Sequence, residues 1–341
     1  MHLNRRLGVV LTAAAAATAV LTGSAQAAGT MTELPALPGS YEAIATGVNN
    51  AGVIVGRSIR DGWGRATRWT AAGGATDLGA LPGGQYSIAT GINGSGVIAG
   101  HSEVAGGTSR AVRFGPGGGI TDLGLVPGYS DSFGLGVDEA GVVVGEGWDR
   151  STAGRRAVKW DASGALTQFA LPNGTRKSLL GGVAANGIAA GSVFVTEQVE
   201  KAVRWDQDGT FTLLASLPGG GNTRAIAVNR YGQAAGYAYT ANGYQHAVRW
   251  TREGRVIDLG AATPHHSIAR GINENGTVVG DAQDSAGRYQ PTRWSSGGEA
   301  LALGLPANTY AGSTWAVNRA GVIVGFTDQG GPSRAVRWYA G

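Results

Sequence analysis

The sequence repeats itself seven times with a period of 44 to 46 residues. The clearest landmark is a turn of the form [IV]-N-x-x-G followed by an apolar run that ends in a second glycine, as in GVNNAGVIVG, GINGSGVIAG and AVNRAGVIVG. Its turn position falls at Asn49, Asn93, Asp138, Ala184, Asn229, Asn273 and Asn318. A second landmark, a short strand closing on an aromatic, ends at Trp69, Phe114, Trp160, Trp205, Trp250, Trp294 and Trp338, always 20 to 22 residues after the turn. A third, typified by TDLG, centres on Leu78, Leu123, Phe169, Leu214, Leu259 and Leu303, nine residues after each aromatic. A fixed period of this length restricts the chain to architectures in which each unit buries its faces against the next.

Each unit holds four short strands, A to D. In the first unit A runs near residues 43–48, B over 53–58, C over 65–70 and D over 75–79. Four strands in roughly 40 to 45 residues make a propeller blade, and seven blades lie within the known range. The seventh copy lacks strand D, which would need residue 347. Met31-Thr32-Glu33-Leu34-Pro35 matches the D pattern instead, and Leu34 precedes Asn49 by the 14 or 15 residues seen between every other D strand and the next turn. The expected fold is therefore an all-β seven-bladed β-propeller with four antiparallel strands per blade, its last blade completed by the N-terminal strand. Composition agrees. Sixty glycines in 341 residues are more than twice the usual share of about 7% and leave little room for long helices. With no cysteine in the chain, disulfides, thiolate catalysis and cysteine-ligated zinc are all excluded.

The repeated residues read as structure. Asn or Asp starts a tight turn through its side chain, and the following Gly accepts a positive φ. The aromatics follow an Ala-Val pair at one strand position and are expected to fill the space between blades. The basic residues before them, such as Arg68, Arg113, Arg249 and Arg337, are expected to link blades, with Asp77, Asp122 and Asp258 on the D strands as acidic partners. The second glycine, as at Gly56 and Gly100, sits inside strand B and signals a bulge or the close approach of another backbone.

Residues 1–27 read as an export signal: Arg5 and Arg6, an apolar run from Leu7 to Thr22, and Ala25-Gln26-Ala27 before the cut. The run is too short to span a bilayer, and nothing besides the arginine pair supports the twin-arginine route. General secretion of residues 28–341 as an extracellular propeller is the expectation, free or bound to the cell wall, with no membrane insertion after cleavage. Losing the signal lowers the formal charge from +4 to +2, which gives no case for nucleic acid as a partner.

RAVRW, HAVRW, GINxxGxVxG and TDLGxLPGG make the chain similar to the HAF-repeat family of extracellular bacterial proteins. The family's His-Ala-Phe strand corresponds to His246-Ala247-Val248 here, most other copies beginning with Arg. The resemblance spans all seven units and implies a secreted repeat protein. It brings no catalytic residues, substrate or cofactor.

Function should then sit where the blades differ. The D-to-A and B-to-C loops share one face and carry Trp63, Tyr86, Tyr129, Trp148, Tyr239, Tyr244, His265, His266, Tyr289 and Tyr310. Aromatics beside polar groups suit stacking on sugar rings or protein contacts. The expected function is non-catalytic binding of polysaccharide or cell-envelope glycan, with a protein partner as the alternative and a polysaccharide hydrolase or lyase third. His265-His266, with Asp281 and Asp284, is the one local cluster a hydrolase could use. No catalytic residue, cofactor or metal is assigned. The sequence carries no oligomeric signal, and a monomer is expected.

Overall fold

Each unit opens on an A–B hairpin, closed by an asparagine side chain in five blades and by Asp138 in blade 3, while Ala184 leaves the turn of blade 4 to backbone hydrogen bonds. Asn49 Oδ1 accepts the backbone N–H groups of Ala51 at 3.1 Å and Val53 at 3.0 Å, and Gly52 takes the left-handed φ of 76° that the turn requires. Repetition of this hairpin builds the molecule. The computed structural model describes residues 30–175, 177–260, 265–307 and 309–339. The expected export signal over 1–27 lies outside them. The described residues form seven four-stranded antiparallel sheets and no helix. In blade 1 the strands are A, Glu42–Val48; B, Ile54–Arg60; C, Trp63–Trp69; and D, Ala75–Asp77. Strand D is shorter than its sequence pattern, yet Leu78 N still donates to Ala66 O at 2.9 Å.

The ring closes as the repeat count requires. Blade 7 takes strands Ala311–Val317, Val322–Asp328 and Arg334–Tyr339 from the end of the chain and Thr30–Glu33 from its start. Met31 pairs with Trp338 and Glu33 with Val336. The chain folds as a seven-bladed β-propeller.

Every A strand carries a β-bulge: its register against strand B shifts between Ala45 and Gly47 in blade 1 and at the matching step in the other six. The second glycine of the repeat is the counterpart of that bulge. A Cβ on Gly56 would lie 2.0 Å from Ile44 O, and the same clash recurs at Gly100 and Gly145.

Three sets of hydrogen bonds join the blades. At the hub, Asn49 Nδ2 donates to Asn93 O, Asn93 to Asp138 O, Asn229 to Asn273 O, Asn273 to Asn318 O and Asn318 back to Asn49 O, at 2.8 to 3.0 Å. Asn186, two residues past Ala184, supplies the bond from blade 4 by reaching Arg230 O. Between blades, the seven aromatics are wholly buried, and the indoles of Trp69, Trp205, Trp250 and Trp294 donate to backbone carbonyls of the preceding blade. The arginine before the aromatic reaches the next blade: Arg68 donates to Pro116 O, Arg249 to Ser296 O and Arg337 to Ala71 O. The expected acidic partners belong elsewhere. Asp77, Asp122 and Asp258 pair within their own blades with Arg65, Arg110 and His246, four residues before the aromatic.

Two outcomes follow from this arrangement. Deleting residues 30–37 removes the closing strand with buried Leu34 and Leu37, which at about 1.5–3 kcal/mol per buried side chain destabilises the ring by about 3–6 kcal/mol. Chemical denaturation of the truncated chain checks this. The hub has one faulty link, because the side chain of Asp138 has no N–H to give and only Glu139 N reaches blade 4, at Ala185 O. Burial pushes the Asp138 carboxyl above its ordinary value of 3.8, so its ionised form weighs against the folded state at neutral pH. Asp138→Asn should therefore stabilise by about 0.5–1.5 kcal/mol at neutral pH. The gain should shrink below about pH 4, where the carboxyl is protonated folded and unfolded alike. Denaturant titrations at both pH values read the difference.

Candidate functional site

The hairpin order places all D–A and B–C loops on one face and the asparagine turns on the other. Between the faces runs a central channel walled by the seven A strands. The bulged residue of each strand lines it: Thr46, Thr90, Leu135, Gly181, Ile226, Arg270 and Trp315. Thr46 and Thr90 are used structurally, their hydroxyls donating to Ala89 O and Gly134 O of the next blade. The remaining wall is apolar apart from Arg57, Arg270 and the indole of Trp315, and it borders a cavity of about 440 Å³. A smaller cavity of about 180 Å³ lies among the asparagine turns, with Glu139 and Glu274 beside it.

The residue after the second glycine differs in every blade: Arg57, His101, Glu146, Ser192, Tyr237, Asp281 and Phe326. This register forms a varied layer between the blades. Glu146 is buried, meets Arg155 Nη1 at 3.1 Å and accepts Leu180 N at 3.2 Å. Asp281 is also buried and holds Arg270 Nε at 2.8 Å, Ser313 Oγ at 2.8 Å and Thr314 N at 3.2 Å. Burial raises both carboxyls above the usual range despite their guanidinium partners. His101 stays neutral, since burial together with the charge of Arg57 lowers it from 6.5 to about 3. Aromatic rings run on from it: Tyr86 to His101 at 5.8 Å, His101 edge-on to Phe133 at 4.8 Å, and Phe133 to Trp148 at 6.2 Å. Arg155 lies over Trp148 at 5.4 Å. A side cavity of about 370 Å³ opens between blades 6 and 7, lined by Arg270, Asp281, Tyr289, Ser313, Trp315 and Phe326 among others.

The ten aromatics and histidines singled out in the sequence do not share one environment. Trp63, Tyr289 and Tyr310 are exposed, by 45%, 44% and 73%. Tyr41, also exposed, precedes strand A of blade 1 on the same face. Together with Trp315 in the channel, these side chains occupy blades 6, 7 and 1, three consecutive sectors of the ring. Tyr86 and Trp148 are half-buried members of the aromatic run. Tyr239 stands edge-on to Tyr237 at 6.0 Å, and Tyr244 lies 5.5 Å from His266. Tyr129 packs against the apolar core between blades 2 and 3. His265 is half-buried. His266 serves the fold, since its Nδ1 accepts Gln245 N at 3.1 Å and its backbone N–H donates to Gln283. Asp284 caps its own loop through Ala286 N and Arg288 N, so it has no hydrogen bond to the histidines. Among the described residues, no three His, Cys, Asp or Glu side chains gather as a metal site would need. Sequence reasoning passes over Arg57, His101, Arg270 and Trp315. Their signal is variation at a fixed register in an otherwise uniform repeat.

No protein-family model matches the chain, and no curated protein sequence does. Solved structures match in fold. Virginiamycin B lyase from Staphylococcus aureus, solved with quinupristin, aligns with a TM-score of 0.59 and 12% identity over 91% of this chain and 99% of that one. The propeller domain of the trilobed protease from Pyrococcus furiosus aligns at 0.60 with 10% identity over 89% and 95%. A puromycin-hydrolysing peptidase from Mycobacterium tuberculosis aligns at 0.60 with 12% identity over 87% of this chain and 50% of that one. The protease propeller is described as having an open velcro topology, whereas here the outer strand of blade 7 is paired and the ring is closed.

Arg270 is the cation that makes the buried Asp281 tolerable. Arg270→Met should cost about 3–5 kcal/mol at neutral pH by leaving that carboxylate unpaired. Because burial raises the Asp281 carboxyl, the loss should shrink as acid protonates it, and Asp281→Asn in the same chain should recover much of it. Melting curves of the single and double variants decide the matter.

Proposed function

We propose that the chain is an exported repeat propeller of the HAF type that binds polysaccharide through the aromatics of its loop face. One observation carries the reading: Tyr41, Trp63, Tyr289 and Tyr310 stand exposed on one face and within three adjacent blades. Trp63 and Tyr289 are each the first residue of a C strand, so a rigid sheet positions them. Flat rings with an apolar face and a polar edge suit the C–H faces and hydroxyl rims of sugars. The buried carboxylates Glu146 and Asp281, between the blades, are held by Arg155 and Arg270, which favours binding over turnover. A protein partner that uses the same rings as hot spots is the second reading.

The test is retention of the chain on insoluble polysaccharides and peptidoglycan, with released sugars assayed in the supernatant. Each aromatic contact contributes about 0.5–1.5 kcal/mol, so Trp63→Ala with Tyr289→Ala should weaken retention about tenfold. The melting temperature should hold, because both side chains are exposed. Soluble product would replace this reading with a lyase or hydrolase. Absence of retention on any glycan would favour the protein partner.

A further inference from the structure

Four arginines lie in or beside the varied layer between the blades, three of them paired with a carboxylate and one not. Arg155 has Glu146 at 3.1 Å, Arg224 has Glu200 at 3.1 Å, and Arg270 has Asp281 at 2.8 Å. Arg57, on blade 1, has no carboxylate within 4 Å among the described residues. Its side chain makes a single hydrogen bond, from Nη1 to Tyr86 Oη at a long 3.4 Å, and its Nε is buried without a partner. The ring facing it from blade 2 supplies no negative charge, since His101 is neutral and its own Nδ1 is buried unpartnered. Arg57 nevertheless lines the large channel cavity, whose apolar wall includes Ile44 of its own blade, Ile88 of blade 2, and Leu135 and Ile226 farther round the ring.

A guanidinium at the wall of an apolar cavity, where the dielectric constant is low, is stabilised strongly by an anion brought to it. An inorganic anion would satisfy the charge and leave the apolar wall wet. A neutral apolar molecule would do the reverse. We propose that the channel binds one small organic anion, its carboxylate or sulfonate on Arg57 and its apolar body among Ile44, Ile88, Leu135 and Ile226. A cavity of about 440 Å³ is of the size that small-molecule sites occupy. The site uses none of the exposed aromatics of the glycan-binding face, so either reading can fail while the other stands.

Anilinonaphthalenesulfonate, an apolar anion with environment-sensitive emission, is the probe. The folded, full chain should bind one molecule saturably, with a rise in emission. Naphthoate should displace it, and uncharged naphthylmethanol at the same concentration should not. Arg57→Met, which keeps the apolar stem and removes the charge, should weaken the probe at least about tenfold. Ile226→Trp, which fills the channel and keeps Arg57, should abolish binding. Lack of saturable one-to-one binding by the native chain overturns the proposal. Equal displacement by the two competitors also overturns it, and that comparison needs no variant to fold.

Discussion

One side-chain amide sets the geometry from which the rest is built. In the repeat asparagine, the carbonyl oxygen closes the hairpin of its own blade while the N–H reaches the backbone of the next. Local folding and ring assembly therefore share a residue, and the step between neighbouring hairpins is set by the reach of one asparagine side chain and its hydrogen bond. The seven sheets must then fan outward from a narrow hub. Near the axis glycine faces glycine: a Cβ on Gly91 would sit 3.2 Å from the Cα of Gly136. Farther out the gap has widened enough to take an indole, and the buried tryptophans fill it. Between neighbouring blades the residues that face each other thus grow in size outward, and close packing is kept across the wedge.

Much of this was legible in the sequence. Spacing alone identified the blades, and the interval from Leu34 to Asn49 identified the closing strand. The periodic aromatics and the strand-B glycines were legible too, because each answers a demand that recurs identically in every copy. The basic residues were read only in part. That Arg68 would reach Pro116 O in the next blade while Arg65 held Asp77 at home depends on strand twist and side-chain reach, which a one-dimensional pattern does not contain. The channel was not legible at all. Thr46, Leu135, Ile226 and Arg270 lie in different units and meet only because the ring is closed and each A strand bulges at the same step.

The molecule separates two kinds of position. Those repeated in all blades make the scaffold, and their uniformity keeps the ring circular. Those that vary at a constant register, from Arg57 through His101 to Phe326, project into shared space without disturbing the backbone around them. A glycine precedes each of these, so the backbone there is held by the bulge and the side chain is free to change. The same division explains the sector of exposed tyrosine and tryptophan in blades 6, 7 and 1. Strand ends tolerate any residue that the loop face can solvate.

The pairing of Thr30–Glu33 with Arg334–Tyr339 has a temporal side. The ribosome makes the outer strand of the last blade first, some three hundred residues before the strand it will join. Through that interval it is an unpaired edge, a template that other strands could capture. The contact it finally makes is among the most distant in the chain, so forming it is slow and waits on nearly everything else. Thr32 and Glu33 place a hydroxyl and a charge on that strand, which suits a segment that must stay unattached until its proper partner arrives.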